Sequence, residues 1–239
     1  MISRILWCGM LSMIALVCYG VQLDRQTEKE PALAPTVPEI ARSSAQRVIA
    51  AYALDGDDPA AALKEAERLV RRRPLPAEHL RILAQAQFMA GDTEQSALTI
   101  QYAAQRGWRD GLAQESMLRL AADAGDDAEA ARRYTALFLR RSTQEALLEE
   151  FGQIVLAEPG GEGRQTLITI VGGAERWHNQ FLRRGPRVLP PDAFVEIVSA
   201  TAEQGADFDC AVLREAQPAI VSRDAQAGQR LAQVIDQNC

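Results

Sequence analysis

The chain has 239 residues, 47% apolar and 5% aromatic, enough to bury a core as one elongated domain or two small ones. Abundant alanine and few long β-branched runs favour packed helices over a sheet. The formal net charge of −6 comes from interleaved acids and bases, which excludes an electrostatic footing for nonspecific nucleic-acid binding; the Arg71-Arg72-Arg73 run reads as cations closing a helix, where its dipole favours them.

The first element is an uncharged run from Ile5 to Leu23. At about 1.5 Å per residue it nearly crosses a hydrocarbon core of about 30 Å. It reads as a single membrane helix over 1–23, or as a secretory signal cleaved after Gly20. Neither Cys8 nor Cys18 follows the small residue that a bacterial lipidation signal needs, since Trp7 and Val17 stand there. Residues 24–39, DRQTEKEPALAPTVPE, are polar and hold three prolines, and read as a tether.

From residue 40 a helix–turn–helix pattern recurs. Asp58, Asp92 and Asp126 stand at intervals of 34 residues, each at a predicted helix start. Gln95 and Glu129 follow three residues behind two of them in capping-box spacing, and Pro59 suits the first helical position. Gly91 and Gly125 precede two of them, placed to end the preceding helix in a left-handed conformation. Apolar stripes flank these turns. Ala41, Ala45, Val48, Ile49 and Tyr52 form one, and Leu80, Leu83, Ala84 and Phe88 another. Behind the turns come Ala62, Ala66, Leu69 and Val70, then Ala97, Ile100 and Ala104, then Ala131, Tyr134 and Phe138. Spacings of three, four and seven put each set on one helix face, and stacked neighbours would bury what a single pair cannot.

This period, with small residues at Ala50 and Ala84 on first helices and Ala62, Ser96 and Ala130 on second ones, and with Pro74 closing a repeat, resembles the tetratricopeptide repeat (TPR) family. The repeats fall at 43–76, 77–110 and 111–144. They are degenerate: the usual early aromatic is Gln46, Leu80 and Gln114 here, Leu118 replaces a small residue, and Trp108 and Ser142 stand for the closing proline. The resemblance implies a TPR-like α-solenoid of antiparallel helix pairs, which with the apolar run before it makes an all-α fold, an N-terminal single membrane helix followed by that solenoid. It also implies a partner groove lined by first-helix residues: Arg47, then Glu78, Arg81, Gln85 and Phe88, then Glu115 and Arg119. Arginines facing one groove could clamp the carboxylates of an extended segment; their other reading is as solvated charges in weak helix-surface pairs.

Beyond residue 145 the period fades while the helical pattern persists to 239. A helix carries Leu147, Phe151, Ile154 and Val155 and breaks at EPGGEG; the next is expected from Arg164 towards Phe181, stopping near Gly185. Another starts at LPPDAF and ends at Gly205, ADFDCAVLREA opens its partner, and a last helix covers 219–235. The segment RWHNQFLRRGP is loosely similar to one in bacterial TPR-like envelope proteins, some of which accompany polysaccharide assembly or export.

Chemistry-bearing patterns are sparse. EPGGEGRQT lacks the lysine and hydroxyl of a phosphate loop, so no nucleotide is expected. His79 and His178 read as helix-surface or partly packed residues, with no metal-ligand spacing. DGDDP is a turn and cap, short of a calcium loop. Cys210 and Cys239 are candidates for a disulfide in an oxidising compartment, or two unpaired small residues. No catalytic constellation, cofactor or metal is indicated, and a hydrolytic enzyme is the least favoured reading. The sequence points to a membrane-tethered scaffold or adaptor binding a protein partner in the bacterial envelope. Residues 5–23 would lie in the inner membrane and the bulk of the chain in the periplasm, the alternative being secretion after signal cleavage. An accessory role in exopolysaccharide assembly or export is the alternative function.

Overall fold

Aspartate-capped turns set the local architecture. In the computed structural model, which describes residues 2–239, Gly91 and Gly125 adopt φ of +86° and +70°. Each ends a helix in a Schellman arrangement: the Asp92 amide donates to the Gln87 carbonyl and the Asp126 amide to that of Ala121. The same aspartates cap the next helices, Asp92 accepting the Gln95 amide and Asp126 that of Glu129. The reciprocal half of the expected capping box does not form, because the aspartate's own amide is already used by the preceding helix. Asp58 likewise accepts the amides of Ala60 and Ala61.

The described residues are all-helical, with no strand. The helices are α1 (Ile2–Gln26), α2 (Ser44–Leu54), α3 (Pro59–Arg72), α4 (Ala77–Met89), α5 (Thr93–Arg106), α6 (Gly111–Asp123), α7 (Asp127–Phe138), α8 (Glu145–Val155), α9 (Glu162–Gly172), α10 (His178–Val188), α11 (Pro191–Glu203), α12 (Cys210–Arg223) and α13 (Ala225–Asn238). They fall into two compact units, Met1–Ala113 and Gln114–Cys239. That division cuts inside α6, not at residue 145.

In the first unit α2 packs on α3, α3 on α4 and α4 on α5, with α2 also touching α4. Small side chains allow the close approach: Ala50, Ala62 and Ala84 are buried, and the buried Ser96 hydroxyl donates to the Ala84 carbonyl at 2.7 Å, fastening α5 to α4. Tyr52, expected in the apolar stripe, points outward instead.

α1 is long and apolar enough to cross a membrane, and its residues 4–19 are exposed. Its last turns belong to the first unit. Gly20, Leu23, Asp24 and Thr27 share one helix face, and a Cβ at Gly20 would lie 3.2 Å from that of Ala41. The stretch 24–39 is folded and does not form the expected tether. Residues Pro31–Thr36 form a 3₁₀ helix, and Ala34 and Val37 are buried against Ala45 and Val48. Three prolines exclude a long α-helix there but not a short 3₁₀ turn packed on α2.

In the second unit α7, α9, α11 and α13 pack in succession, as do α10 with α8 and α12 with α10. The rings of Tyr134, Phe138, Phe181 and Phe194 run through its core with neighbouring centroids 6.3, 5.9 and 5.4 Å apart. Helix boundaries here depart from expectation. The helix expected from 164 to 181 breaks at Gly172, and α10 then runs through Gly185 and Pro186. Gly185 does not stop a helix: a Cβ there would stand 2.8 Å from the Phe194 ring, so glycine permits the contact. Pro218 is likewise inside α12, and the break falls at Asp224, which caps α13 through the Gln226 and Ala227 amides.

Candidate functional site

The residues expected to line a groove begin on α4, where Glu78, Arg81, Gln85 and Phe88 recur at helical spacing along one side. Gln85 is exposed and Phe88 is 64% exposed, so this side of α4 ends in an aromatic ring in solvent. Phe88 therefore belongs to the surface and not to the buried stripe in which it was also expected. Arg47 on α2 reaches Glu78 at 3.3 Å, joining the first helices of two repeats. Arg81 pairs with Asp110 at 3.3 Å, both side chains mostly covered. Glu115 and Arg119, in the second unit, pair with each other at 2.9 Å, and the Arg119 guanidinium lies 4.9 Å from the centre of the Phe151 ring. Each of the three arginines is thus engaged within its own unit. The clamp expected of them would first have to break an ion pair, whereas Gln85 and Phe88 present their groups to solvent.

The repeats carry a second feature that sequence reading did not separate out. Gln46, at the position where an aromatic was expected, is fully buried and donates to the Glu65 carboxylate at 2.8 Å. Gln114, also fully buried, accepts from Arg133 at 3.2 Å. Both partners lie nineteen residues ahead, on the second helix of the same repeat. The amide offers its N–H₂ to an anion in one case and its carbonyl to a cation in the other, since it carries both a donor and an acceptor. Arg133 is held in turn by Glu129, whose carboxyl burial would raise; its hydrogen bonds to Arg132 and Arg133 outweigh that and hold it below the ordinary glutamate value.

Both histidines, expected as helix-surface or partly packed residues, are buried. His79 Nδ1 lies 2.9 Å from the Arg73 carbonyl; burial drives its pKa down, against the raising effect of that bond. His178 lies at a cleft of about 360 Å³ lined by Glu175, Arg176, Asn179, Asp207, Phe208 and Asp209. Its Nε2 is 2.9 Å from the Val171 carbonyl and Nδ1 3.4 Å from that of Asp207. An imidazole with one N–H donates to only one of these carbonyls, and the shorter contact, to Val171, ties α10 back to α9. Asp209 is occupied as the cap of α12. Among the described residues no three His, Cys, Asp or Glu side chains gather closely enough to hold a metal ion.

Cys210 and Cys239 are joined by a disulfide, with Cα atoms 5.7 Å apart. Three arginines without a sequence signature serve as caps of other helices. Arg164, 2% exposed, bonds the Leu156 and Ala157 carbonyls beyond α8 while pairing with Asp192 and Glu196, each at 2.6 Å. Arg184 takes the carbonyls of Phe138, Arg140 and Thr143 beyond α7, and Arg223 those of Pro186 and Leu189 in and after α10. Such cations satisfy the orphan carbonyls of a helix end and its dipole together. No protein-family model matches the chain, and no curated protein matches it either.

Proposed function

We propose that the protein is a membrane-anchored, TPR-like scaffold that binds a protein partner in the bacterial envelope, with α1 retained in the inner membrane and both units in the periplasm. The observation that carries the reading is the α4 side ending in Gln85 and Phe88, an exposed polar-aromatic line on a helix whose other faces are packed. Exposed aromatics at helical spacing beside polar groups are the usual anchors of helical adaptor surfaces. Repeated Asp-capped turns at intervals of 34 residues support an α-solenoid that would present such helices in series. The disulfide supports an oxidising compartment.

A photo-crosslinking residue placed at Gln85 or Phe88 in the full chain, in intact membranes, tests the reading. The expected result is a discrete protein adduct at both positions, weakened for the Gln85 probe when Phe88 is replaced by Glu. Absence of any adduct at both positions would remove this face as the binding surface.

A further inference from the structure

The first unit is polarised between its two ends. At one end lie the turns inside each repeat, Asp55-Gly56-Asp57-Asp58 and Gly91-Asp92-Thr93-Glu94, acidic and without a cation. At the other lie the connections between repeats. These are tied side by side: Arg72 donates to the Arg42 carbonyl at 2.8 Å, Arg106 donates to the Pro74 carbonyl at 3.0 Å, and Gly107 packs directly against Ala77. This second edge has a different composition. Arg71, Arg72 and Arg73 are exposed there with no acid among residues 71–76. The acids that reach it are paired, Glu67 lying 3.7 Å from Arg71, Glu39 3.9 Å from Arg72, and Asp110 pairing with Arg81; the first two pairs are long and their acids exposed, so they give way to a headgroup phosphate at little cost.

The segment leading into α2 and the two connections each carry an exposed large apolar side chain: Ile40 at 95%, Leu75 at 80% and Trp108 at 56%. Single exposed apolar residues need no explanation. Three at successive positions along one edge, the lead-in and two connections, form a pattern, and the chain shows what lies next to it. The Asp24 carboxylate of α1 accepts the amides of Ser43, Ser44 and Ala45, at this same edge. α1 therefore leaves the unit from here, and residues 4–19 beyond the contact are exposed and apolar. The Gly20–Ala41 contact falls inside the apolar run, about 4–5 Å before its end at Leu23 by helical rise. With α1 across a membrane, Ile40, next to Ala41, would stand near the depth where the hydrocarbon core gives way to headgroups.

We propose that this edge lies flat on the bilayer in which α1 is anchored, with Ile40, Leu75 and Trp108 in the interfacial layer and Arg71, Arg72 and Arg73 on anionic phospholipid headgroups. Aromatic and aliphatic tips flanked by arginine suit that layer, where the apolar part sits below the headgroups and the cation among them. The acidic turns then face away from the like-charged surface. With residues 24–39 folded, there is no slack to let the unit tumble. The inference rests on α1 being a retained anchor.

The test uses the full chain with Cys8→Ala and Cys18→Ala, so that the only free thiol is one introduced at Leu75 or at Asp57, reconstituted into vesicles of phosphatidylcholine and phosphatidylglycerol and labelled with an environment-sensitive fluorophore. Both positions are exposed loops, so the fold is not at risk. The probe at residue 75 is expected to emit at shorter wavelength and be quenched by acyl-brominated lipid, and the one at residue 57 to do neither. Replacing Arg71, Arg72 and Arg73 together by Gln is expected to reduce the residue-75 signal. Alkaline carbonate extraction separates the two failures. Release of the protein removes the anchor and this inference with it. Retention with an aqueous signal at residue 75, or equal signals at both positions, overturns the edge contact and leaves the anchor standing.

Discussion

The Asp24 carboxylate accepts the Ser44 backbone amide at 2.9 Å, twenty residues along the chain and on a different helix. Its other oxygen takes the amides of Ser43 and Ala45 at 2.8 and 2.9 Å, while the Ser43 side chain makes no cap bond of its own. The first turn of α2 is thus capped from α1, and the acid that ends the apolar run is stabilised by a helix N-terminus.

Asp24→Ala strands three amides where water has little access, at a cost of about 1–3 kcal/mol. Hydrogen exchange at residues 43–45 is expected to accelerate, and thermal unfolding of the first unit to shift down. Asp24→Asn, which keeps an acceptor, should recover part of the loss. Unchanged exchange in the Ala variant would show that α1 and α2 are held by apolar contact alone.

Arg164 combines two ion pairs with two backbone carbonyls while almost fully buried. Arg164→Met keeps much of the stem volume but leaves the Leu156 carbonyl without its cation. Breaking a buried charged network typically costs about 3–5 kcal/mol; the partial exposure of Asp192 and Glu196 lets them rehydrate and puts the expected loss at the low end. Arg164→Lys should rescue little, since an ammonium cannot span both acids and the helix end in the guanidinium's planar geometry. Urea unfolding midpoints of the three proteins decide the matter.

The repeated turns were legible because their signals are local: a glycine needing positive φ and an aspartate needing nearby amides lie within a few residues of what they contact. Gly185 was misread for the complementary reason. Its role is set by the Phe194 ring, and glycine before proline reads as a helix end when the packing partner is unseen. Arg164, Arg184 and Arg223 were invisible because the carbonyls they cap lie on other segments, up to 46 residues away in the case of Arg184. The fold of residues 24–39 could have been read. Gly20, Leu23, Asp24 and Thr27 continue a single helical face past the end of the apolar run, and that periodicity argues against a tether beginning at Asp24. Of the groove arginines, Arg119 pairs with Glu115 at a four-residue spacing that the sequence displays, whereas the partners of Arg47 and Arg81, Glu78 and Asp110, are about 30 residues away, beyond any helical spacing rule.

His79 gives the first unit a pH dependence of definite sign. Its pKa is lowered from 6.5, chiefly by burial, so the unfolded chain takes up a proton at a higher pH than the folded one. The stability tied to the neutral ring is fully present above the unfolded value. It declines as pH falls below 6.5, by at most about 1.4 kcal/mol per pH unit, and levels off once the folded ring also protonates. His79→Gln can still donate to the Arg73 carbonyl but does not titrate. Its stability between pH 7 and 5 should fall less steeply than that of the native protein, even if lower at pH 7. Parallel profiles would mean that His79 is protonated equally in both states.

The disulfide closes a loop over a sequence separation of 29 from the first residue of α12 to the residue after α13, stapling the two helices that end the second unit. For a loop of this length the constraint on the unfolded chain contributes about 3–4 kcal/mol. The Cys210→Ser, Cys239→Ser double variant is expected to lower the unfolding transition of the second unit, and added reductant should then have no further effect on that transition. The same pair reports the compartment. Cys8 and Cys18 lie on α1, so in a chain carrying alanine at both, any maleimide-reactive thiol comes from Cys210 or Cys239. Acid-quenched cells should yield a protein that gains mass with a polyethylene-glycol maleimide only after reduction. Modification without reduction would place the second unit in a reducing compartment, and the envelope-facing orientation would fall with it, because a bond of this stability does not stay open where oxidant reaches it.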